Sequence, residues 1–466
     1  MSAPLNRSAV DAGPKAPVRI VHMGLGAFHR AHQAWYTDQV DPGSQWGIAA
    51  FTGRSPKAAE VLAAQDGLYT VVQRTADGDR HELLGSIVEA HDGADLQRFR
   101  QLLAADTTAI VTITVTEAAY HVGADGRFDT GAPAVVDDLK LLQADDGHGT
   151  WAGPGISPVS TMPARLLLGL QARKEADAGP IAVVSCDNLP GNGAVARAAV
   201  LGIAEAVDPE LAAWVDTNVS FVQTSVDRIT PAATVADVES VEAAQGYIDH
   251  TPVVTEPFSS WVLSGDFPAG RPAWEEAGAV FVDDIGPFED RKLWLLNGAH
   301  SLLAYSAQRR GHDTVAQALA DRTCVQWVEQ FWDEAQRHLP AEGLDIDRYR
   351  AALRERFSNA RIEHRLAQIA SDGSNKLRLR AVPVMKAERQ AGRSGEASAR
   401  MISAWIDYVK DGGTAPDAAA ETIAAIVAAE TTDTVHDLVQ LLDEDLAGDP
   451  DALRLIDSLR RRMAPA

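Results

Sequence analysis

Four residues that can handle protons and hydrogen bonds sit close together in one apolar stretch: Glu289, Lys292, Asn297 and His300, within Gly286-Pro287-Phe288-Glu289-Asp290-Arg291-Lys292-Leu293-Trp294-Leu295-Leu296-Asn297-Gly298-Ala299-His300. Pro287 suits a first helical turn. At roughly 100° per residue with Lys292 at the origin, Asn297 falls at about 140°, His300 at about 80° and Glu289 at about 60°. The set occupies one arc of a helix and is surrounded by Leu293, Trp294, Leu295, Leu296, Leu302 and Leu303, so the helix should be mostly buried. Burial lowers the pKa of a lysine and brings it into range as a general base. A secondary alcohol must lose its hydroxyl proton as its hydride departs, and a buried Lys292 can take that proton. Asn297 and His300 can orient the alcohol and polarise the ketone oxygen in the reverse direction, and Glu289 can pass the proton to water. The plain alternative is a lysine snorkelling to solvent and a core histidine bonded to a carbonyl. Taken together on one arc, the residues favour chemistry.

A second constellation lies near the N-terminus. Val18 to Met23 reads as a short buried strand, Gly24-Leu25-Gly26 as a tight turn, and the residues through His32 and Tyr36 as a helix. Strand, glycine turn and helix form the setting in which backbone amides and a helix N-terminus receive a pyrophosphate. The third glycine of the dinucleotide pattern is replaced by His29. The acid expected after the second strand is also missing. Phe51 is followed by Thr52-Gly53-Arg54-Ser55, and Arg54 can instead receive a ribose 2′-phosphate, which leaves NAD or NADP open.

Several elements must position these groups. Strands are expected over Trp46 to Phe51, Leu68 to Gln73, Ala109 to Val115 and Ile181 to Ser185, with helices over Ser55 to Gln65, Leu96 to Ala104 and Thr161 to Ala176. This alternation predicts a mostly parallel sheet covered on both faces. Strand-like pieces over Val219 to Thr224, Thr251 to Thr255 and Ala279 to Val282 should extend the same sheet. Residues 1 to about 16 read as a flexible lead. From Gly286 onward the periodicity is helical, over about 288–310, 314–338, 346–355, 360–370, 380–392, 396–410, 416–430, 433–444 and 450–462. The fold class is therefore α/β: a Rossmann-type domain over 1–285, then an all-α domain over 286–466 that carries substrate binding and catalysis.

Composition narrows the partners. At roughly 100–200 residues per domain, a chain of 466 residues holds two or three domains. The net charge of −23 repels phosphate backbones and anionic lipid, so neither nucleic acid nor a membrane surface is an expected partner. Two cysteines, Cys186 and Cys324, are too few for a disulfide framework or a cysteine-rich zinc site. His29 and His32 are three apart but lack a cysteine pair or carboxylate–histidine motif, so no metal is expected. No signal-peptide core and no run of about 18 apolar residues is present, which predicts a cytoplasmic protein. Its size allows a monomer or a small homo-oligomer.

Lys292-x4-Asn297-x2-His300 resembles the signature of the polyol-specific long-chain dehydrogenases, the mannitol 2-dehydrogenase and fructuronate reductase family. Gly24-Leu25-Gly26-Ala27-Phe28-His29-Arg30-Ala31-His32 is similar to the family's cofactor turn, and Gln65-Asp66-Gly67-Leu68-Tyr69-Thr70 to its following segment. Thr114-Val115-Thr116-Glu117, Ser185-Cys186-Asp187-Asn188-Leu189-Pro190-Gly191-Asn192-Gly193, Val226-Asp227-Arg228-Ile229-Thr230-Pro231 and Asp372-Gly373-Ser374-Asn375-Lys376 are similar to further blocks, in order along most of the chain. The resemblance implies a metal-free, NAD- or NADP-dependent enzyme that interconverts a polyol and its ketose, or a sugar acid and its keto form, with the active site in a cleft. It implies Lys292 as general base, Asn188 and Asn297 as an oxyanion-stabilising pair, and His300 on the substrate oxygens. Asp227 and Lys376 would line the substrate site, and Glu289 would gate proton escape. Gly24, Gly26, Ala27, Phe28, Arg30, Arg54 and Thr116 would belong to the cofactor side. Where mannitol-oxidising members carry acidic residues after the second strand, this chain has Arg54-Ser55. Where a mannitol enzyme has an arginine eight residues before the Lys376 position, this chain has Gln368, so sugar-acid substrates stay open beside mannitol/fructose and arabinitol/xylulose. A non-catalytic nicotinamide-binding sensor is the rival from another class; it would keep the glycine turn without a base.

Overall fold

In the N-terminal strand Val18–Met23 (β1), Val21 and Met23 turn to one face of a sheet while Ile20 and His22 turn to the other, and from Ile20 to Met23 all four are buried. Burial on both faces is what a parallel sheet requires of its central strands. The computed structural model describes residues 2–41, 43–123, 125–144, 159–413, 415–429 and 433–463, with residues 461–463 described without their side chains. Residue 430, the last of the expected helix over 416–430, lies outside the described residues.

The remaining strands of this sheet are Gly47–Phe51 (β2), Ile87–His91 (β3), Ile110–Ile113 (β4), Ile181–Ser185 (β5), Val219–Asp227 (β6), Ser260–Ser264 (β7) and Val280–Phe281 (β8). They form one eight-stranded sheet in the order β8-β7-β6-β5-β4-β1-β2-β3. β1 to β6 all run parallel, and β7 pairs antiparallel with β6. Strand order 3-2-1-4-5-6 is that of the doubly wound dinucleotide fold, whose chain reverses direction across the sheet between β1 and β4. One face is covered by the helices Leu96–Leu103, Met162–Glu175 and Asn192–Val207 through Phe99, Leu166, Leu170 and Ile203. The other is covered through Ala31, Ala34, Tyr36, Trp261 and Trp274. Side-chain caps set two helix starts: Asp95 accepts from the Arg98 amide (3.0 Å) and Thr161 from the Ala164 amide (3.3 Å).

Four expectations for this half need correction. The segment read as a third strand of the main sheet, Tyr69–Thr75, instead pairs with Gly78–Leu84 and Val253–Thr255 in a separate three-stranded sheet. The strand expected over Thr251 to Thr255 therefore leaves the main sheet too. Asp249 explains the placement: its carboxylate accepts from the Thr70 amide (2.6 Å) and from Gln65 Nε2 (3.0 Å). Residues 2 to 16, expected as a flexible lead, are held in place. Ala3–Pro4 pairs with Tyr247–Ile248, Leu5 is fully buried, and Arg7 donates to Gly85 O (2.8 Å) and Ala12 O (3.2 Å). Finally, the helix expected through His32 and Tyr36 is two short ones, Ala27–Ala31 and Gln33–Gln39, broken at His32.

Contacts divide the chain into two units, Met1–Ile285 and Gly286–Ala466. The second is helical, and its only β pairing among the described residues is an isolated bridge between Thr314 and Arg365. Leu302, Leu303, Tyr305, Phe331, Trp332 and Trp405 form its buried interior. The expected helix over 314–338 is interrupted at Asp321, which caps Arg322–Gln336 by accepting from the Thr323 amide (2.8 Å). That over 360–370 reduces to two single turns, Ala360–Ile362 and Leu366–Ile369. The helix expected over 380–392 runs Val382–Gln390, and a further, unexpected helix, Gly373–Arg380, precedes it, starting where a Cβ at Gly373 would lie 2.6 Å from the Tyr305 hydroxyl. Among the described residues, no helix is long and apolar enough to cross a membrane. The overall class is the expected one, a Rossmann-type domain with a mostly parallel sheet followed by a helical region.

Candidate active site

In the first unit, Gly24, Arg54, Thr116, Asn188 and Asp227 follow or end β1, β2, β4, β5 and β6. Because those strands are parallel, these residues gather along the carboxyl edge of the sheet, on which ligands of open α/β sheets bind. Gly24 has φ +106°, and a Cβ there would lie 1.8 Å from Thr114 O, so only glycine fits. Gly26 is different. Its backbone is extended, and the nearest atom to an added Cβ is 3.6 Å away. Packing within the chain does not demand glycine at 26; close approach by an outside group would.

His29 occupies the place of the third glycine and packs flat on His22, with ring centroids 3.3 Å apart and planes 6° from parallel. The helix thus meets β1 through two stacked imidazoles rather than through bare backbone. Both rings are fully buried, and burial lowers His22 to about 3 and His29 well below the usual histidine range. The hydroxyl of Thr114 donates to Gly24 O (3.0 Å), so it accepts from His22 Nε2–H (3.1 Å), which leaves His22 Nδ1 to accept from the Thr112 hydroxyl (2.9 Å). That chain of bonds ties the glycine turn to β4. The first helix after the turn has only five residues, so its dipole contributes less than the sequence suggested.

The other cofactor-side residues separate. Arg54 and Thr116 are exposed, and Ala27 and Phe28 are half-buried. The Phe28 ring stacks on His32. Arg30 is committed internally: its guanidinium donates to Thr251 O (2.5 Å) and Thr251 Oγ1 (2.8 Å). His32 is likewise held by Ser260 O (3.0 Å).

Asn188 is exposed, but the residue before it is not. Asp187 accepts from the Val115 amide (2.7 Å) and from the Tyr120 hydroxyl, which also lies 2.6 Å from Ser185 Oγ. One carboxylate therefore joins the loops that carry Thr116 and Asn188. Burial raises Asp187 to about 7 despite those donors. Asp187 and Tyr120 are 67 residues apart, so their contact is a tertiary fact with no local signal.

In the second unit the expected regular helix is not regular. It runs as Gly286–Arg291, then a π-helix Lys292–Gly298, then Ala299–Ser306. The i→i+5 ladder makes residues five apart neighbours along the axis, so Lys292 and Asn297 share a side more closely than a spacing of 100° per residue would allow. Side chains support the wide turn: Trp332 Nε1 donates to Leu295 O (2.7 Å), and Arg380 Nη1 to Asn297 O (3.2 Å). Gly298 is required there, since a Cβ would lie 2.5 Å from the Phe331 ring. Lys292, Glu289 and Asn297 are half-buried.

Asn297, His300 and Lys376 come together on one cavity of about 270 Å³, with His364, Gln368 and Arg380. His300 is buried, its ring lies against Phe357 and His364, and its Nε2 has no partner. Burial first, then the charges of His364, Arg356, Arg380 and Lys376, keep it neutral. Lys292 is not among the residues that line this cavity. Elsewhere, among the described residues, ligand atoms of His312, Asp321 and Cys324 lie within 4.8 Å of one another, but Asp321 already holds the guanidinium of Arg310 (2.7 Å).

Family models of the mannitol dehydrogenase Rossmann domain and the mannitol dehydrogenase C-terminal domain match residues 18–276 and 284–457. The chain is 38% identical to the D-mannonate oxidoreductase of Escherichia coli (strain K12), over 84% of this chain and 80% of that enzyme. It is 35% identical to a mannitol 2-dehydrogenase of Cereibacter sphaeroides, over 88% of this chain and 84% of that one. Among solved structures it is similar to the Pseudomonas fluorescens mannitol 2-dehydrogenase in ternary complex with NAD and D-mannitol, with TM-score 0.77, 32% identity, and coverage of 99% of this chain and 96% of that one.

Proposed function

Because the chain belongs to the mannitol dehydrogenase family, we propose that it is an oxidoreductase interconverting a secondary alcohol of a polyol or sugar acid with its ketone. The observation that carries the reading is the Gly24–Gly26 turn on the carboxyl edge of the sheet, at the strand where the order reverses. The residues fit a nicotinamide dinucleotide: Gly24, Gly26 and Ala27 at the pyrophosphate, Arg54 at the adenosine ribose, and Thr116 with Asn188 toward the nicotinamide end. A nicotinamide held there would supply the hydride acceptor.

The chain's own residues manage the proton and the oxygen. Lys292, as the free amine, accepts the hydroxyl proton as the carbinol C–H bond breaks and the C=O bond forms. Asn188 and Asn297 donate to the oxygen while it carries negative charge. His300, neutral in its buried site, donates from one ring nitrogen to a substrate oxygen. Asp227 and Lys376 hold the further hydroxyls, and Glu289 returns the proton from Lys292 to water. No step in this scheme calls for a metal.

For the cofactor, Arg54 and Ser55 stand exposed after β2, and no carboxylate follows until Glu60. That favours use of NADP beside NAD. The test is turnover of D-mannitol, D-arabinitol and D-mannonate with each nucleotide, followed by reduced-nicotinamide absorbance with and without a chelator. Turnover of at least one, unaffected by the chelator, supports the reading. Nucleotide binding without turnover of any would make the protein a sensor.

A further inference from the structure

Lys376 and Arg380 are spaced i,i+4 on the helix Gly373–Arg380 and both line the cavity that holds His300 and Asn297. Like charges at this spacing repel, and partial burial makes the repulsion more costly. Asp372 and Asp417, which do not line the cavity, offset only part of it. Among the described residues of this unit, the cavity is lined by two cations, two histidines, two carboxamides and Ile369, with no carboxylate, in a chain whose net charge is −23.

The nearest acids are occupied. Asp372 accepts from Asn375 Nδ2 (3.0 Å) and the Ala418 amide (3.4 Å). Asp417 accepts from the Ser374 amide (2.8 Å), the Ser374 hydroxyl (2.5 Å) and the Ala419 amide (2.9 Å).

The donors facing the cavity are not all spent. The Lys376 ammonium has three N–H groups and donates to Ile369 O (2.9 Å) and weakly to Ser371 Oγ (3.4 Å). Arg380 gives Nη1 to Asn297 O and to Ser301 Oγ (2.9 Å), while its buried Nε has no partner. His300 Nε2, on a side chain only 7% exposed, has none either. Burial lowers the pKa of both cations, Arg380 to about 10, and the charge of Arg380 lowers Lys376 further. Such a cluster is short of negative charge, and an anion supplies it with charge-assisted bonds.

We propose that this cavity receives the carboxylate of a sugar-acid substrate, with Lys376 and Arg380 as the pair that selects it over a neutral polyol. The assignment rests on the dehydrogenase reading above and narrows it. One remaining Lys376 N–H can donate to a carboxylate oxygen, and the Arg380 guanidinium adds a second positive charge to the same wall. Gln368, a neutral carboxamide, completes the wall without adding charge.

The test compares kcat/KM for D-mannonate, D-mannitol and a hexitol phosphate with the purified full-length protein. The inference expects D-mannonate to be preferred over D-mannitol by roughly 10–10²-fold, the scale of hydrogen bonds to a charged group. It also expects Lys376→Gln to erase most of that preference, mainly through KM for D-mannonate, with Arg380→Lys moving the ratio in the same direction. D-Mannitol turned over as well as or better than D-mannonate overturns the inference and leaves the dehydrogenase reading standing. A preference for the phosphate overturns the choice of carboxylate, and equal losses on both substrates in Lys376→Gln overturn the assigned pair. Nucleotide binding with no turnover of any of the three overturns the inference, and the dehydrogenase reading falls with it only if D-arabinitol is inert as well.

Discussion

Lys292 and Asn297 stand five residues apart on a single π-helical stretch, and the i→i+5 ladder brings to one side two residues that a regular α-helix would set about 140° apart. A wide turn of this kind is uncommon and is frequent at functional sites. In this chain it is supported from outside the helix by Trp332, which donates to Leu295 O, and by Arg380, which donates to Asn297 O.

If Lys292 is the base, Lys292→Ala lowers turnover by at least about 10²-fold, the low end for acid–base catalysis. Lys292→Arg should not restore it, because arginine stays protonated and cannot accept the proton. Steady-state kcat across pH is the measurement, and wild-type turnover in either variant removes Lys292 from the role.

Gly24 and Gly26 separate folding from nucleotide binding. An added methyl at Gly24 meets Thr114 O at 1.8 Å in a left-handed conformation, so Gly24→Ala should lower Tm as well as binding. At Gly26 the nearest atom is 3.6 Å away, so Gly26→Ala should keep Tm and weaken NADH or NADPH binding by about 10-fold or more. Titration by nucleotide fluorescence alongside thermal melts reads both; unchanged affinity in Gly26→Ala would take the turn out of the cofactor site.

Gly298 is where the π-helix lies against the helix Arg322–Gln336. Gly298→Ala places a methyl 2.5 Å from the Phe331 ring and should cost about 1–3 kcal/mol in overpacking. Phe331→Leu in the same chain should return part of that loss, because the two residues share the contact. Additive losses in a denaturation cycle would show that the contact is not the cause.

The His22–His29 stack makes the first unit acid-sensitive. His22 titrates at about 3 when folded and near 6.5 when unfolded, since burial disfavours its charged form. Above roughly pH 6.5 the ring is neutral in both states. As pH falls toward 3 only the unfolded chain takes up the proton, so stability is lost on acidification, by roughly 3 kcal/mol at pH 4 from His22 alone. Chemical denaturation at pH 7.5 and pH 4.5 should show that loss in the wild type and a smaller one in His22→Gln. An equal loss in both would assign the acid sensitivity elsewhere.

Much of the architecture was legible because it is written in local pattern. Ile181 to Val184 is a continuous apolar run, and the strand there spans Ile181–Ser185 as expected. The helices expected from Leu96 and Thr161 start at Leu96 and Met162. What misled was competition between distant partners. Tyr69–Thr75 has the composition of a core strand, yet Asp249, far along the chain, draws it into another sheet. Residues 1–16 look unstructured because nothing near them in sequence explains Leu5 or Arg7; their partners are Tyr247, Ile248 and Gly85.

The same division holds at the candidate site. Sequence alone determined which chemical groups are available, because residue types and short spacings need no fold to be read: Gly24 and Gly26 after a strand, and Lys292, Asn297 and His300 along one helix. Only the tertiary structure decided how they are presented. It replaced a regular turn with a wide one held by Trp332 and Arg380, stacked His29 on His22, tied Asp187 to Tyr120, and set Lys376 and Arg380 beside His300. These are contacts between segments far apart in the chain, and their energies depend on burial and on partners that no local pattern specifies.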